Sequence, residues 1–321
     1  MKHMRLLCLY ILLCFAPTVV FAQPDITVEV SGVSGEEREN VLLLLSIEQQ
    51  KAHPDLSDGR ILRLHAKAVE EIEQALAPFG YYRVTVEAEL VQRKEPPGWL
   101  ASYRIVPGPP LPIAALNINI TGDAANDPAF KKLLDSSLMA VGEPINHAHY
   151  EQLKRDLQRL AEERGYFDAT LTRHSVRVDL ASYEARVDIQ LDSGPRYRFG
   201  PLNFRGDILL DEQFLRRYIT FSPGEPYSSA KLFQLQNSLN GSDYFKRVEV
   251  KAERESRVGL QVPVTVNLTM HKRTRYKLGV GYGTDTGIRL QANWTRVPIS
   301  SYGDRLDLGI GYQELDDEFK L

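Results

Sequence analysis

The stretch IAALNINITGDAANDPAFKKLLDSSLMAVGEPINHAHYEQLKRDLQRLAEERGYF, residues 113–167, carries the reading of the fold. Its opening, residues 113–121, has the apolar bias of a strand. Asp127 and Pro128 then start a helix: the carboxylate can cap free amides, and the proline sits where its missing N–H is not needed. Phe130, Leu133, Leu134 and Leu138 recur at helical spacing. Gly142 and Pro144 break that helix, and Asn146 can cap the next. The second helix has an apolar stripe of Tyr150, Leu153, Leu157 and Leu160, with Lys154, Arg155, Arg159 and Glu163 away from it. Gly165 fits the position just past a helix C-terminus. Two strands are expected next, over about 167–178 and 183–191. In the latter Ala185, Val187, Ile189 and Leu191 alternate with Arg186, Asp188 and Gln190. The order is β-α-α-β-β.

The landmarks of this stretch recur on both sides. Gly32, Gly122 and Gly206 each close an apolar run, at spacings of 90 and 84 residues. Aromatic steps follow at Gly80-Tyr81-Tyr82, Gly165-Tyr166-Phe167 and Asp243-Tyr244-Phe245. Gly142-Glu143-Pro144 returns 82 residues later as Gly224-Glu225-Pro226, and Pro107-Gly108-Pro109 as Ser193-Gly194-Pro195. Four landmarks in one order describe a module copied three times. The period is longer than that of solenoid repeats, so each copy should bury a small core of its own. In the first copy the second helix carries Ile61, Leu64, Ala68, Ile72 and Leu76, with strands over 83–91 and 100–106. In the third, Phe214, Leu215 and Tyr218 mark one helix, Leu232, Leu235 and Leu239 the other, and the strands span 244–252 and 262–270.

The flanks differ. Lys2, His3 and Arg5 precede an apolar run, Leu6 to Ala16, too short to span a bilayer. Val20-Phe21-Ala22 places small residues where a signal peptidase reads, so a secretory signal over 1–22 with cleavage between Ala22 and Gln23 is expected. An uncleaved anchor is the other reading of the same run. Cys8 and Cys14, the only cysteines, would leave with the signal, which excludes a disulfide scaffold or a thiolate metal site in the remainder. From Arg275 onward helical spacing stops. Tyr276, Leu278, Val280 and Tyr282 alternate with Lys277, Gly279, Gly281 and Gly283. Ile288, Leu290, Ala292 and Trp294, then Leu306, Leu308, Ile310 and Tyr312, repeat the alternation. Strands of an outer-membrane barrel need it, with lipid on one side and lumen on the other; residues 275–285 are long enough to cross when tilted. A soluble antiparallel sheet with one wet face alternates too.

The three β-α-α-β-β copies, the Gly-Tyr-Phe step and the signal resemble the POTRA domains of the Omp85 superfamily of outer-membrane assembly proteins. A count of three is most similar to the TamA branch, the outer-membrane subunit of the translocation and assembly module. The expected fold class is α+β: a signal over 1–22, POTRA-like domains over 23–109, 110–197 and 198–271, and the first strands of a transmembrane β-barrel over 272–321. Three strands cannot close a barrel, so the resemblance makes the chain an incomplete member. It implies further that the second strand of each module is an open edge that takes up unfolded clients such as autotransporters. The residues concerned are Val84, Val86 and Ala88, Ala169 and Leu171, and Val248 and Val250. It implies a lateral seam at the first barrel strand, where Gly279, Gly281 and Gly283 offer little packing. It also implies a periplasm-spanning TamB-like partner and an outer-membrane location.

No enzyme, cofactor or metal site is legible. There is no Gly-x-Ser-x-Gly elbow, no His-Glu-x-x-His and no Walker A loop. The glycines from Gly279 to Gly283 lie on one face of a strand with no helix after them, which is wrong for phosphate. His147 and His149 sit at a helix start with no carboxylate in motif spacing. A net charge of −3 disfavours a nucleic-acid clamp. Two function classes stay open: a non-enzymatic assembly factor in the outer membrane, and a soluble periplasmic scaffold built on the three modules.

Overall fold

The computed structural model describes residues 25–283 and 287–313. The expected signal and its cleavage point lie outside these residues. In the first module the elements are β1 (Ile26–Ser31), α1 (Gly35–Leu44), α2 (Ser46–Gln49), α3 (Asp58–Leu76), β2 (Thr85–Lys94) and β3 (Pro97–Val106). The second contains β4 (Ile113–Thr121), α4 (Pro128–Asp135), α5 (His147–Arg164), β5 (Thr170–Asp179) and β6 (Glu184–Asp192). The third contains β7 (Arg198–Arg205), α6 (Glu212–Arg216), α7 (Ser229–Asn240), β8 (Phe245–Ala252) and β9 (Gln261–Met270). The chain continues as β10 (Thr274–Gly283), β11 (Gly287–Arg296) and β12 (Leu306–Gln313).

Each module places its last strand in the middle: β1-β3-β2, β4-β6-β5 and β7-β9-β8. The first strand pairs with it in parallel, as Val28 does with Ala101 and Phe204 with Val266. The outer partners β2 and β8 run antiparallel to it. Central strands are the most buried, as their near-continuous apolar faces demand: Val262, Val264 and Val266 expose nothing. Helix stripes close one face. Ile61, Ala68 and Ile72 of α3 pack with Val41, Tyr103 and Ile105 in the first core. Leu232, Leu235 and Leu239 of α7 pack with Val248, Val264 and Leu268 in the third.

The caps follow the sequence. Asp127 Oδ1 accepts from the Ala129 amide at 3.1 Å, and Asn146 Oδ1 accepts from that of Ala148 at 2.8 Å. Three local expectations are corrected. The helix α4 ends at Asp135, so Leu138 is off its stripe and 72 % exposed. The strand β5 begins at Thr170 because Phe167 is engaged elsewhere. The first module has an extra short helix, α2, placed by buried Ile47.

The described residues divide into two compact units. One holds the chain through Pro112 with Glu143–Ala148 and Asp179–Glu184; the other holds Ile113–Gly142, His149–Val178 and everything from Ala185.

Candidate functional site

In each module both the first and the second strand lie outermost with one unpaired side, the second being β2, β5 or β8. Val86 and Leu171 lie on such strands half-buried, and Ala88 lies exposed. Val84 and Ala169 precede their strands by one residue. On β8, Val248 is buried in the core and Val250 half-buried against it. What such an edge offers is its backbone. In an antiparallel pair alternate residues turn N–H and C=O toward the partner. The Glu253 amide donates inward to Pro263 O at 2.8 Å. Val248, Val250 and Ala252 therefore turn theirs outward. Beside this edge lies a groove of about 750 Å³, lined by Leu160 and Arg164 of α5, Leu232, Phe233 and Gln236 of α7, and Val250. Sequence reasoning missed Gln236 and Phe233; Phe233 was visible as an aromatic off the α7 stripe, 64 % exposed.

The Gly-Tyr-Phe step is a joint. Tyr197 N donates to Gly165 O at 2.8 Å, and Tyr227 N to Tyr197 O at 3.0 Å, so module three is laced to module two by backbone. A Cβ on Gly165 would sit 2.7 Å from Tyr227 Cβ. Phe167 meets Tyr197 and Tyr227 edge-on or tilted, with the Arg254 guanidinium 4.1 Å over its ring. In the other unit Leu111 N donates to Gly80 O and Ile145 N to Leu111 O. The aromatic step and the Gly-Glu-Pro turn thus meet, although 60 or more residues apart.

Tyr166 turns inward and donates to Asp127 Oδ2 at 2.9 Å, where Arg164 Nε also donates at 2.6 Å. Burial works against the Asp127 carboxylate, but the bonds from Arg164, the Ala129 amide and Tyr166 outweigh it and hold its pKa below the usual value. Burial, then the bond to Asp127, pushes Tyr166 up to about 12. His147 Nε2 lies 3.2 Å from Tyr82 Oη. Among the described residues no cluster of three His, Cys, Asp or Glu could hold a metal.

The last three strands form a separate antiparallel sheet, β10-β11-β12. Its register stacks Tyr276 beside Trp294 and Leu308, and Leu278 beside Ala292 and Ile310. This face is bare: Leu278 and Val280 are 83 % and 82 % exposed. The other face carries Gly279 beside Gln291 and Gly311, and Gly281 beside Arg289. Gly283 pairs with Gly287 at the turn. Among the described residues no helix is long and apolar enough to cross a membrane, which says nothing of a β-barrel. The β11–β12 connection returns to the third module. Tyr244 Oη donates to Gly303 O at 2.5 Å, the Asp211 amide donates to Ser301 O at 2.8 Å, and Arg305 pairs with Asp243 at 3.1 Å.

Known family models match three stretches of the chain. The family model described as POTRA domain TamA domain 1 matches residues 27–107. The POTRA model described as surface antigen variable number repeat matches 116–194 and 197–270. The chain belongs to the POTRA-domain family. The chain is 24% identical over 155 residues to the outer membrane protein assembly factor BamA of Buchnera aphidicola, covering 48% of this chain and 25% of that one. The chain thus spans about a quarter of the length of that relative. A solved BamA from Haemophilus ducreyi, lacking POTRA domains 1–3, superposes with a TM-score of 0.52 at 17% identity over 63% of this chain and 37% of that. CdiB from Acinetobacter baumannii gives 0.38 at 14% identity over 64% and 39%.

Proposed function

We propose that this chain is the periplasmic arm and barrel start of a non-enzymatic assembly factor of the TamA type in the outer membrane. The arm receives unfolded outer-membrane clients, autotransporters among them, as strands added to β2, β5 and β8. A backbone edge accepts many sequences, because its bonds are made by main-chain groups that every client has. Clients then pass to a lateral seam at β10, where Gly279, Gly281 and Gly283 leave a strand that bends and unpairs easily. A periplasm-spanning TamB-like protein docks on the arm. A cleaved signal over 1–22 exports the chain.

The observation that carries this reading is the juxtaposition in one unit: an open POTRA edge, and a sheet with one bare apolar face tied to the same POTRA domain. A bare face of this extent weighs against a soluble scaffold. The first family match supports the TamA branch, as does the count of three.

The test uses the full gene product with single cysteines at Val86, Leu171 or Val250, and controls at Thr27 and Leu116 on the opposite outer strands β1 and β4. Disulfide trapping of an unfolded barrel client during assembly should label the first set several-fold more than the controls. Equal labelling of both sets would remove the edge reading.

A further inference from the structure

The β8 edge is not empty. The Val250 amide, turned outward, donates to the side-chain carbonyl Oε1 of Gln236 on α7 at 3.1 Å. That oxygen belongs to a primary amide, the chemical equivalent of a peptide group. It occupies the position that the carbonyl of an added strand would take. We infer that Gln236 is a latch on this edge: it satisfies the Val250 donor while the edge is vacant, and an incoming strand binds only by displacing it. The inference rests on the proposal that β8 receives clients.

The neighbouring groove states what displaces it. Val248, Val250 and Ala252 direct their side chains to the helix layer, where Leu160, Leu232 and exposed Phe233 line the space beside Val250. A strand laid against β8 would turn every second side chain over these apolar groups and the others to water. The occupant is therefore an extended polypeptide with apolar residues at alternate positions, the pattern of a barrel strand such as β10. A single stray carbonyl gains nothing over Oε1, since one bond is exchanged for an equal one. A strand that brings several bonds and an apolar face wins. The latch thus raises the threshold for pairing and shields a liable edge between clients.

The experiment titrates the full chain, in detergent micelles, against a fluorescein-labelled peptide of the β2 sequence, TVEAELVQRK, which carries Val, Ala and Leu at successive alternate positions among charged residues. Fluorescence anisotropy reads the affinity. Gln236→Ala should tighten binding about three- to tenfold, the worth of one neutral hydrogen bond no longer displaced. Val250→Pro removes the outward donor and leaves the inward ladder to β9 intact. It should leave binding almost unchanged in the wild type, because the latch bond and the strand bond that replaces it vanish together, and cancel the gain in Gln236→Ala. Amide exchange gives a second readout on the same proteins: the Val250 amide should lose protection in Gln236→Ala. If Gln236→Ala binds no tighter and Val250→Pro weakens the wild type, the latch is wrong and the edge reading stands. If neither substitution, alone or combined, changes binding, the edge reading at β8 fails and the latch with it.

Discussion

Asp127 concentrates more of the second POTRA domain than any other polar side chain described. It caps α4, pairs with Arg164 and accepts from Tyr166, with only 3 % of its side chain exposed. Its folded pKa lies below the unfolded value of about 4. The stabilisation is therefore complete above that value and is lost as pH falls through the lower folded pKa. Asp127→Asn keeps a capping oxygen and removes the charge; at pH 7 it should cost about 2 kcal/mol, less than a fully buried pair because Arg164 is partly solvated. Urea midpoints at pH 7 and pH 3 check this: the gap between variant and wild type should narrow in acid, and a constant gap would assign the loss to packing instead. Two glycines from the repeat make a paired test. Both Gly142 and Gly165 have positive φ, 93° and 86°, but a Cβ on Gly142 meets nothing within 4 Å. Gly142→Ala should cost about 1 kcal/mol of backbone strain, and Gly165→Ala clearly more, since Tyr227 must also move. Thermal melting of both variants would show it, and equal losses would deny that Gly165 is a crowded joint.

At the scale of elements, the sequence is most readable where one period dominates. The α3 and α7 stripes and the alternation of β6 need no tertiary information. Boundaries failed where a side chain serves a neighbouring domain. Phe167 looks like strand but packs on Tyr197 and Tyr227, so β5 starts at Thr170. The outer position of β2, β5 and β8 came from resemblance, because no local pattern says which of two strands is central. Gln236 was invisible for a related reason: a glutamine off a helix stripe reads as solvated until the sheet edge is placed beside it. Strand β10 invites a test of its own. A Cβ on Gly281 meets nothing within 4 Å, and one on Gly279 reaches Gln291 only at 3.7 Å. The double variant Gly279→Val, Gly281→Val therefore fits without a clash and stiffens the strand by about 1 kcal/mol per site. In the full gene product, folding should persist while client insertion into vesicles slows several-fold. Normal insertion kinetics in a folded variant would count against a seam at β10.

For the whole molecule the question is which solvent the last sheet meets. Sequence alternation alone fitted both lipid and a soluble sandwich. Among the described residues no element covers Tyr276, Leu278, Val280 and Tyr282, while Gly303 and Ser301 on the β11–β12 connection hold the sheet to the third POTRA domain. A membrane makes the two faces inequivalent in a way water does not. Leu278 stands mid-strand on the bare face, and Gln291 lies across from Gly279 on the other. In the full gene product, folded into lipid vesicles, Leu278→Arg should lose about 2–4 kcal/mol, the penalty for a cation on the lipid face near the midplane. Gln291→Arg adds the same charge to the lumen face and should lose less than about 1 kcal/mol, because that face stays wet. Urea unfolding in vesicles followed by tryptophan fluorescence reads both, with Trp294 on the bare face beside Leu308 reporting the loss of lipid contact. A soluble sheet would treat the two arginines alike, and either arginine would then be tolerated on a surface open to water. Equal small losses would move the sheet out of the bilayer and take the seam with it; a loss confined to Leu278→Arg ties the POTRA arm to a lipid wall.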